Sequence, residues 1–418
     1  MNTGTLQLTP EEQAMLQGEQ GPAVQQALRY QIEVGTFFGA TRMVPVTNAH
    51  FMGDIEVMGD AGLAHLQAMA GHGAHCRVDT STNARCMDFA AAGCLGQDAD
   101  EVEKERKVIR ILRDMRMVTT DTCINYQTVY QPKLGEHVAW GDTGTVIYAN
   151  SVFGARSNFE SGNAGLSAAL TGRTPAYGFH LDECRLGSIA VDIRTDLLDT
   201  ADWGAVGKIV GHPNQDYFAV PVFEGVSDMP VSDALKHLGC SLASYGSMAM
   251  YHIVGVTPEA ATASQAFGGR QPSQRISITR DDLEAVYASY RYVSGARNLV
   301  VFSGPQQSLL EMRTLAELFS GRKVAHGMQV FVTTNHAILA DARRLGYVDA
   351  LEAAGVQILD GVCFYILQRL SKIREENGWT NLVSNSAKIV NTITAHRFNT
   401  VLRRTRDCVD IACTGALK

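Results

Sequence analysis

The amino-terminal part of the chain alternates between helix-like and strand-like patterns of apolar positions. A capping-box start, Thr9-Pro-Glu-Glu, predicts a helix that ends at Gly35. The apolar run 43–48 predicts a strand, and helical spacing returns in 60–70 and 98–113. The short run 115–118 then predicts a strand that leads into Cys123. This order of elements is typical of βαβ units.

The same alternation returns in the carboxy-terminal part. The predicted helices are 281–290, 308–319 and 338–354, and the predicted strands are 299–302, 330–333 and 356–363. Between the two parts, residues 178–230 contain shorter extended pieces and more turn residues.

We therefore expect an α/β protein with several layers of mainly parallel sheet flanked by helices. A chain of 418 residues exceeds the size at which one core stops growing, roughly 250–300 residues. We predict a first α/β lobe over 1–180, a mixed middle segment over 181–280 and a second α/β lobe over 281–418.

Polar residues stand where predicted strands end, and such ends converge at one edge of a parallel sheet. Any one of them fits helix capping as well as it fits a site. They are Thr47–His50, Thr80–Thr82, Cys123, Ser303–Pro305, Thr333–His336, Asp360–Cys363 and Ser384–Lys388.

Composition narrows the class of protein. A net charge of −7 argues against a general nucleic-acid binder. Nine cysteines without secretory spacing, and no signal-peptide pattern before Thr9, predict a reducing, cytoplasmic environment. No apolar run approaches the roughly 20 residues of a membrane span, so we expect no membrane partner.

The segment around and after Cys123 carries the clearest enzymatic chemistry. A polar run, 135–142, follows the thiol, and the next run contains a guanidinium suited to carboxylate binding, that of Arg156. Amide and hydroxyl donors flank Arg156, and we predict that these side chains bind a substrate. They are Asn150, Ser151, Ser157 and Asn158.

The same residues carry a family resemblance. Together with 166–175, 177–183 and Val-Ser-Asn-Ser-Ala-Lys at 383–388, they resemble the catalytic part of aconitase X, a branch of the aconitase superfamily. The likeness extends from residue 8 to residue 409. It implies a hydro-lyase that dehydrates a hydroxylated acid with the help of an iron-sulfur cluster.

The resemblance implies metal ligands from three distant loops, because no local Cys-x-x-Cys exists here. They are Cys123, the residue before Gly304-Pro305, and Cys363; this chain has Ser303 where a cysteine is expected. Because serine binds iron less well than thiolate, we expect a two-iron cluster, a larger but labile one, or a single iron. Taken alone, Cys363 fits a core residue equally well.

The remaining roles follow from the chemistry of dehydration, which needs a proton acceptor, help for the leaving hydroxide and a carboxylate-binding cation. Arg156 or Lys388 would hold the carboxylate, and His50 or His180 would relay protons. Lys388 fits a surface residue, and each histidine a structural one, equally well. We expect Ser384, Asn385 and Ser386 to line the same pocket.

The substrate prediction rests on one position. In the phosphomevalonate branch of the family an arginine follows the asparagine of Gly-Ala-Arg-x-Asn, and here that position is Phe159. An aromatic group disfavours a phosphate, so we expect dehydration of cis-3-hydroxy-L-proline to Δ1-pyrroline-2-carboxylate. A phosphomevalonate dehydratase or another hydroxy-acid dehydratase is the alternative.

Aconitase-like enzymes carry a base serine on a small swivelling domain, and no segment here resembles that domain. We therefore expect a small subunit in trans, or a member that works without one. The remaining hypothesis is a non-catalytic role, as a cluster-sensing RNA binder or a degenerate scaffold. The net negative charge of the chain weighs against RNA binding, whereas Ser303 in place of a cysteine favours the degenerate scaffold.

Overall fold

A computed structural model describes residues 6–416, which form an α/β structure with parallel sheets flanked by helices. The predicted fold class is confirmed. Each of the three larger sheets draws all its strands from one stretch of the chain. Within residues 6–416, no helix combines the length and the apolar composition needed to cross a membrane.

The amino-terminal stretch contains a three-stranded parallel sheet, ordered β3-β2-β4, and an antiparallel pair, β1-β5. Its strands are β1 (Met43–Pro45), β2 (Asn48–Phe51), β3 (Asp79–Thr82), β4 (Ala139–Trp140) and β5 (Arg173–Pro175). Its helices are α1 (Pro10–Gln17), α2 (Pro22–Phe37), α3 (Ile55–Gly71), α4 (Ala92–Leu95), α5 (Ala99–Asp114), α6 (Asn125–Thr128), α7 (Thr143–Tyr148) and α8 (Asn163–Thr171).

The middle stretch contains a four-stranded parallel sheet ordered β8-β7-β6-β9. Its strands are β6 (Ile189–Ile193), β7 (Pro221–Glu224), β8 (His252–Ile253) and β9 (Gln274–Ile278). Its helices are α9 (Thr200–Gly211), α10 (Ser232–Gly246), α11 (Ala263–Ala266) and α12 (Arg280–Ala288).

The carboxy-terminal stretch contains a five-stranded parallel sheet ordered β12-β11-β10-β13-β14. Its strands are β10 (Arg297–Phe302), β11 (Met328–Thr334), β12 (Gln357–Asp360), β13 (Trp379–Ser384) and β14 (Asn399–Leu402). Its helices are α13 (Leu309–Phe319), α14 (His336–Arg344), α15 (Tyr347–Ala354), α16 (Leu370–Asn377), α17 (Ala387–Thr392) and α18 (Thr405–Thr414).

Burial in the central strands explains their apolar sequences. Residues 299–302 of β10 are fully buried, as a strand covered by helices on both faces must be. A single large core packs the middle sheet and the carboxy-terminal sheet together with the Cys123 loop. The carboxyl ends of β10, β12 and β13 are thereby fixed relative to that loop.

Three of the predicted elements were wrong in detail. Residues 115–118 are not a strand, because Arg116 adopts a left-handed conformation at φ 67° and only Val118 bridges to β3. The predicted helix 338–354 is two helices, α14 and α15, separated by Gly346 at φ 78°. The helix predicted from Thr9 to Gly35 is two helices, α1 and α2, with Gly18 and Gly21 between them. Gly35 lies inside α2, where a Cβ would lie within 3.0 Å of Pro175, so glycine permits close packing there.

Candidate active site

The amino-terminal and carboxy-terminal sheets face each other through the loops at their carboxyl ends. Asn335, after β11, donates its side-chain amide to Thr122 Oγ1 at 2.9 Å. Arg85, after β3, forms a parallel bridge with Val362 beside Cys363. These contacts bring strand ends that are more than 200 residues apart in sequence into one site.

Cys123 lies in the loop that enters this site, and its side chain is buried. Gln306, in the turn after β10, contacts it twice. The Cys123 N–H donates to Gln306 Oε1 at 3.2 Å, and the Gln306 N–H donates to Cys123 Sγ at 3.4 Å. Both the backbone and the sulfur of Cys123 are therefore fixed in place.

Ion pairs made by Asp121 hold the Cys123 loop in place. The buried guanidinium of Arg85 binds Asp121 Oδ1 and Glu105 Oε1, each at 2.7 Å. On the other side, His336 lies between Asp121 at 3.2 Å and Asp360 at 2.7 Å. Hydrogen bonds to these two carboxylates raise the pKa of His336 to about 10, so the imidazolium persists at neutral pH.

Ser303 follows β10 directly and is fully buried. Its hydroxyl oxygen accepts a hydrogen bond from Thr333 Oγ1 at 2.7 Å and one from the Phe364 N–H at 3.4 Å. Since Phe364 is the residue after Cys363, the Ser303 side chain lies beside the Cys363 backbone.

A lysine ammonium lies among the thiols. Lys388 Nζ, in α17, is 3.7 Å from Asp142 Oδ2. Burial alone would lower the pKa of Lys388, but the Asp142 carboxylate raises it above its ordinary value. The nearby thiols are those of Cys240, Cys123 and Cys363. A largely buried ammonium paired with a single carboxylate can still attract an anion.

Burial, with Asp142 nearby, raises the pKa of Cys123. Burial likewise raises the pKa of Cys363, while Lys388 acts in the opposite direction on both thiols. Both groups are therefore thiols at neutral pH unless a metal displaces their protons.

His50, at the end of β2, lies close to this group. Its Nδ1 is 2.8 Å from Ser81 Oγ, and its Nε2 is 3.4 Å from Asn83 Oδ1. Burial lowers the pKa of His50 to about 4, so the ring is neutral at pH 7. Because both ring nitrogens have partners, the geometry suits a positioning role.

The residues after β13 support the Ser303 turn. Ser384 Oγ donates to Val301 O at 2.6 Å, and Ser386 Oγ donates to Gly304 O. Ser386 also caps α17, the helix that carries Lys388. The Asn385 amide donates to Thr405 Oγ1 at 3.1 Å, which directs its nitrogen away from the turn.

The other predicted binding residues form a separate group. Arg156 donates to the carbonyl oxygen of His180 at 3.0 Å and pairs with Asp182. His180 bridges Glu160 at 3.0 Å and His137 at 2.9 Å. Within the described part of the chain, these side chains make no hydrogen bond to Cys123, Ser303, Cys363 or Lys388.

Four neighbours of Arg156 hydrogen-bond to backbone groups. Asn150 bridges Ser157 and Ala249, and Ser151 accepts from the Tyr251 N–H. Ser157 accepts from the Trp140 N–H, and Asn158 joins Tyr177 and Phe179. These hydrogen bonds hold residues 150–158 against β4 and against the backbone near Tyr177 and Tyr251.

Sequence reasoning missed three residues of the site. The sequence pattern shows Asp142 only as the end of the polar run 135–142, and it singles out neither Cys240 nor Gln306. The only sequence signal was the position of Asp142 shortly after a strand-like pair; Cys240 lies inside a helix and Gln306 has no motif.

The donor atoms allow a test of the implied cofactor. Across residues 6–416, no three His, Cys, Asp or Glu side chains are grouped to hold a metal ion. Two thiols and the Ser303 hydroxyl remain as donors, one thiol short of the three that a dehydratase cluster ordinarily uses. This set fits mixed sulfur and oxygen ligation of a metal or a small cluster.

Comparison with known proteins places the chain in a family. Models of the first, second and third domains of aconitase X match residues 5–183, 187–288 and 297–414. The chain belongs to the aconitase X family, which confirms the resemblance seen in the sequence.

Relatives of two kinds match at similar identity. The phosphomevalonate dehydratase large subunit of Methanothermobacter thermautotrophicus is 33% identical over 93% of this chain and 94% of its own length. The cis-3-hydroxy-L-proline dehydratase of Pseudomonas aeruginosa is 31% identical over 90% of this chain and 64% of its own length. Both names describe hydro-lyases, which is consistent with this chain being a lyase.

The fold is shared with a solved structure. The holo form of aconitase X from Thermococcus kodakaraensis superposes with a TM-score of 0.86 at 30% identity, covering 97% of this chain and all of that one. The convergence of strand ends described above therefore lies within a fold known for this family.

Proposed function

We propose that this chain is the catalytic large part of a dehydratase that removes water from a small hydroxylated carboxylic acid. The observation that carries the proposal is the position of Lys388. Its largely buried ammonium lies 3.7 Å from Asp142 and near the thiols of Cys123 and Cys363, where the strand ends converge. A carboxylate-binding cation next to soft metal donors is what such a reaction requires.

In this proposal Lys388 binds and orients the substrate carboxylate, while Cys123, Ser303 and Cys363 hold a metal or iron-sulfur cluster. When bound, that group supplies a Lewis acid for the departing hydroxide. Asp142 keeps Lys388 charged and in place. The buried walls around Cys123 and Ser303 exclude water.

The proton on the carbon next to the carboxylate requires an acceptor. Relatives such as the one from Methanothermobacter thermautotrophicus are called large subunits. We propose that a small subunit in trans supplies this acceptor, while His50 has a positioning role within this chain. We propose the cytoplasm as its location.

We propose cis-3-hydroxy-L-proline as the substrate. Phe159 contacts Tyr217 edge-to-face, with the ring centroids 5.1 Å apart. An aromatic pair therefore occupies the place where the phosphomevalonate branch is expected to carry an arginine. In addition, the ammonium of Lys388 is partly offset by Asp142, whereas a phosphate adds a charge of about −1.5 to −2.

A substrate panel tests the function directly. The chain is purified anaerobically with iron and sulfide quantified, alone and with a small subunit encoded nearby. It is then assayed by mass spectrometry for water loss from hydroxyproline isomers and phosphomevalonate. We expect turnover of cis-3-hydroxy-L-proline. Turnover of phosphomevalonate alone would show that the proposed substrate is wrong and the proposed reaction is right. An iron-loaded complex that is inactive on every acid would refute the reaction class.

The metal ligation has its own test in Ser303→Cys. We expect this variant to retain more iron, or to lose it more slowly to a chelator, because thiolate outcompetes an alcohol oxygen for iron. Ser167→Cys, at a buried position in α8, is the matched control and should resemble the parent protein. Identical iron content, sulfide content and spectra in Ser303→Cys and the parent would show that Ser303 does not face the metal.

A further inference from the structure

The turn after β10 contains a glutamine that connects several segments of the site. Gln306 is fully buried. Its side-chain nitrogen lies 3.2 Å from Asp121 O, 3.3 Å from Thr334 O and 3.2 Å from Val362 O. Its side-chain oxygen accepts the N–H of Cys123. The side-chain oxygen and nitrogen of Gln306 therefore bond to backbone groups of three different loops.

Two of these loops carry proposed metal-binding residues. Asp121 precedes Cys123 by two residues, and Val362 directly precedes Cys363. Ser303 lies in the same turn as Gln306 itself. The backbone N–H of Gln306 also donates to Cys123 Sγ. The distances among the three donor residues therefore depend on bonds that meet at this glutamine.

A buried charge cluster holds the glutamine in turn. Lys236, in α10, donates to the carbonyl oxygen of Gln306 at 3.3 Å. The ammonium is fully buried, pairs with Asp233 at 3.1 Å and also pairs with Glu311 at the start of α13. Because such an ion cluster resists displacement, the turn is anchored to the middle stretch of the chain as well.

We propose that Gln306 is the positioning residue that sets the separation of Cys123 from Ser303 and Cys363. This inference rests on the proposed metal site. Groups that orient ligands without touching the metal commonly change metal affinity 10- to 100-fold when removed, on the order of magnitude seen for outer-shell partners. Gln306 satisfies that description, since its bonds go to the loops and to a ligand sulfur.

The neighbouring residue provides a matched control. Gln307 is equally buried and lies in the same turn. Its side-chain nitrogen reaches only Pro305 O, two residues away, at 3.4 Å. Gln307→Met therefore removes a comparable buried amide without separating any loops, whereas Gln306→Met removes the bonds to all three loops.

The test measures metal binding without turnover. Cobalt(II) is titrated into the full chain, and the thiolate-to-cobalt absorbance reports affinity and geometry. We expect Gln306→Met to bind cobalt roughly 10- to 100-fold more weakly with an altered spectrum. Gln307→Met should stay within about twofold of the parent protein. Equal affinity and equal spectra in the two variants would overturn the inference.

Hydrogen–deuterium exchange of the metal-free protein adds a readout that does not depend on the metal. We expect faster exchange in both 121–124 and 361–364 for Gln306→Met and not for Gln307→Met. If the parent protein binds no cobalt, the proposed metal site fails, and the exchange result still decides whether Gln306 holds the loops.

A second variant, Gln306→Glu, distinguishes a folding defect from the loss of positioning. Gln306→Glu keeps the length of the side chain and the acceptor for Cys123 but replaces the donor that faces three carbonyl oxygens. It should show the same loss of cobalt affinity. If both Gln306 variants fail to fold while Gln307→Met folds, the residue stabilises the fold and the positioning role is wrong.

Discussion

Replacement of Cys123 by serine is expected to abolish both metal binding and turnover. The proposed donor set has only two thiols, so the change leaves Cys363 as the single soft ligand beside two hydroxyls. Thiolate is the ligand that iron-sulfur chemistry requires, and two oxygens cannot replace it. The variant also loses the sulfur that accepts the Gln306 N–H. Iron and sulfide per chain, the visible spectrum and the dehydration rate measure the effect.

Cys408→Ser is the control for this experiment. Cys408 is also fully buried, but its thiol donates to Arg403 O at 3.5 Å within the carboxy-terminal helix region. We expect this variant to lose some stability and to keep its iron and spectrum. Full colour and full rate in Cys123→Ser would mean that Cys123 is a packing residue, and the three-loop ligand set would then be wrong.

The fold could be predicted from the sequence because its signals are local. Alternating helix-like and strand-like runs predicted parallel α/β layers. The polar ends of β10 and β11 contact the Cys123 loop, and the polar end of β13 contacts the turn after β10. The errors concern places where single residues change the backbone direction. Arg116 and Gly346 adopt left-handed conformations that hydrophobic periodicity does not register.

The site could be predicted only where its residues follow strands. Ser303, Cys363 and Lys388 follow β10, β12 and β13, whereas Cys123 follows only the isolated bridge of Val118 to β3. The structure places all four near one another. Gln306 was missed because its function arises from contacts across 183 residues of sequence, and a buried glutamine carries no local signal. Arg156 shows the opposite case: its chemistry suits a carboxylate, but the structure pairs it with Asp182. Residue type alone does not reveal which partner a guanidinium takes.

Lys388→Met is expected to cause the second large loss, in substrate binding and rate. Removing one partner from a buried charge pair typically costs about 2–5 kcal/mol, or roughly 30- to 5,000-fold in kcat/KM. The loss has two parts here: the substrate carboxylate loses its cation, and Asp142 is left as an unpaired buried charge. The metal should stay bound, because its proposed ligands are unchanged. Steady-state kinetics and iron content separate these effects.

A second substitution separates catalysis from stability. Adding Asp142→Asn to Lys388→Met removes the unpaired carboxylate, so the double variant should recover thermal stability without recovering kcat/KM. Lys372→Met, at an exposed position in α16, should behave like the parent protein in every measurement. If Lys388→Met keeps the kcat/KM of the parent protein, the Lys388 ammonium pairs with Asp142 and does not bind the substrate. The substrate carboxylate must then be bound elsewhere, and Arg156 would become the next cation to test.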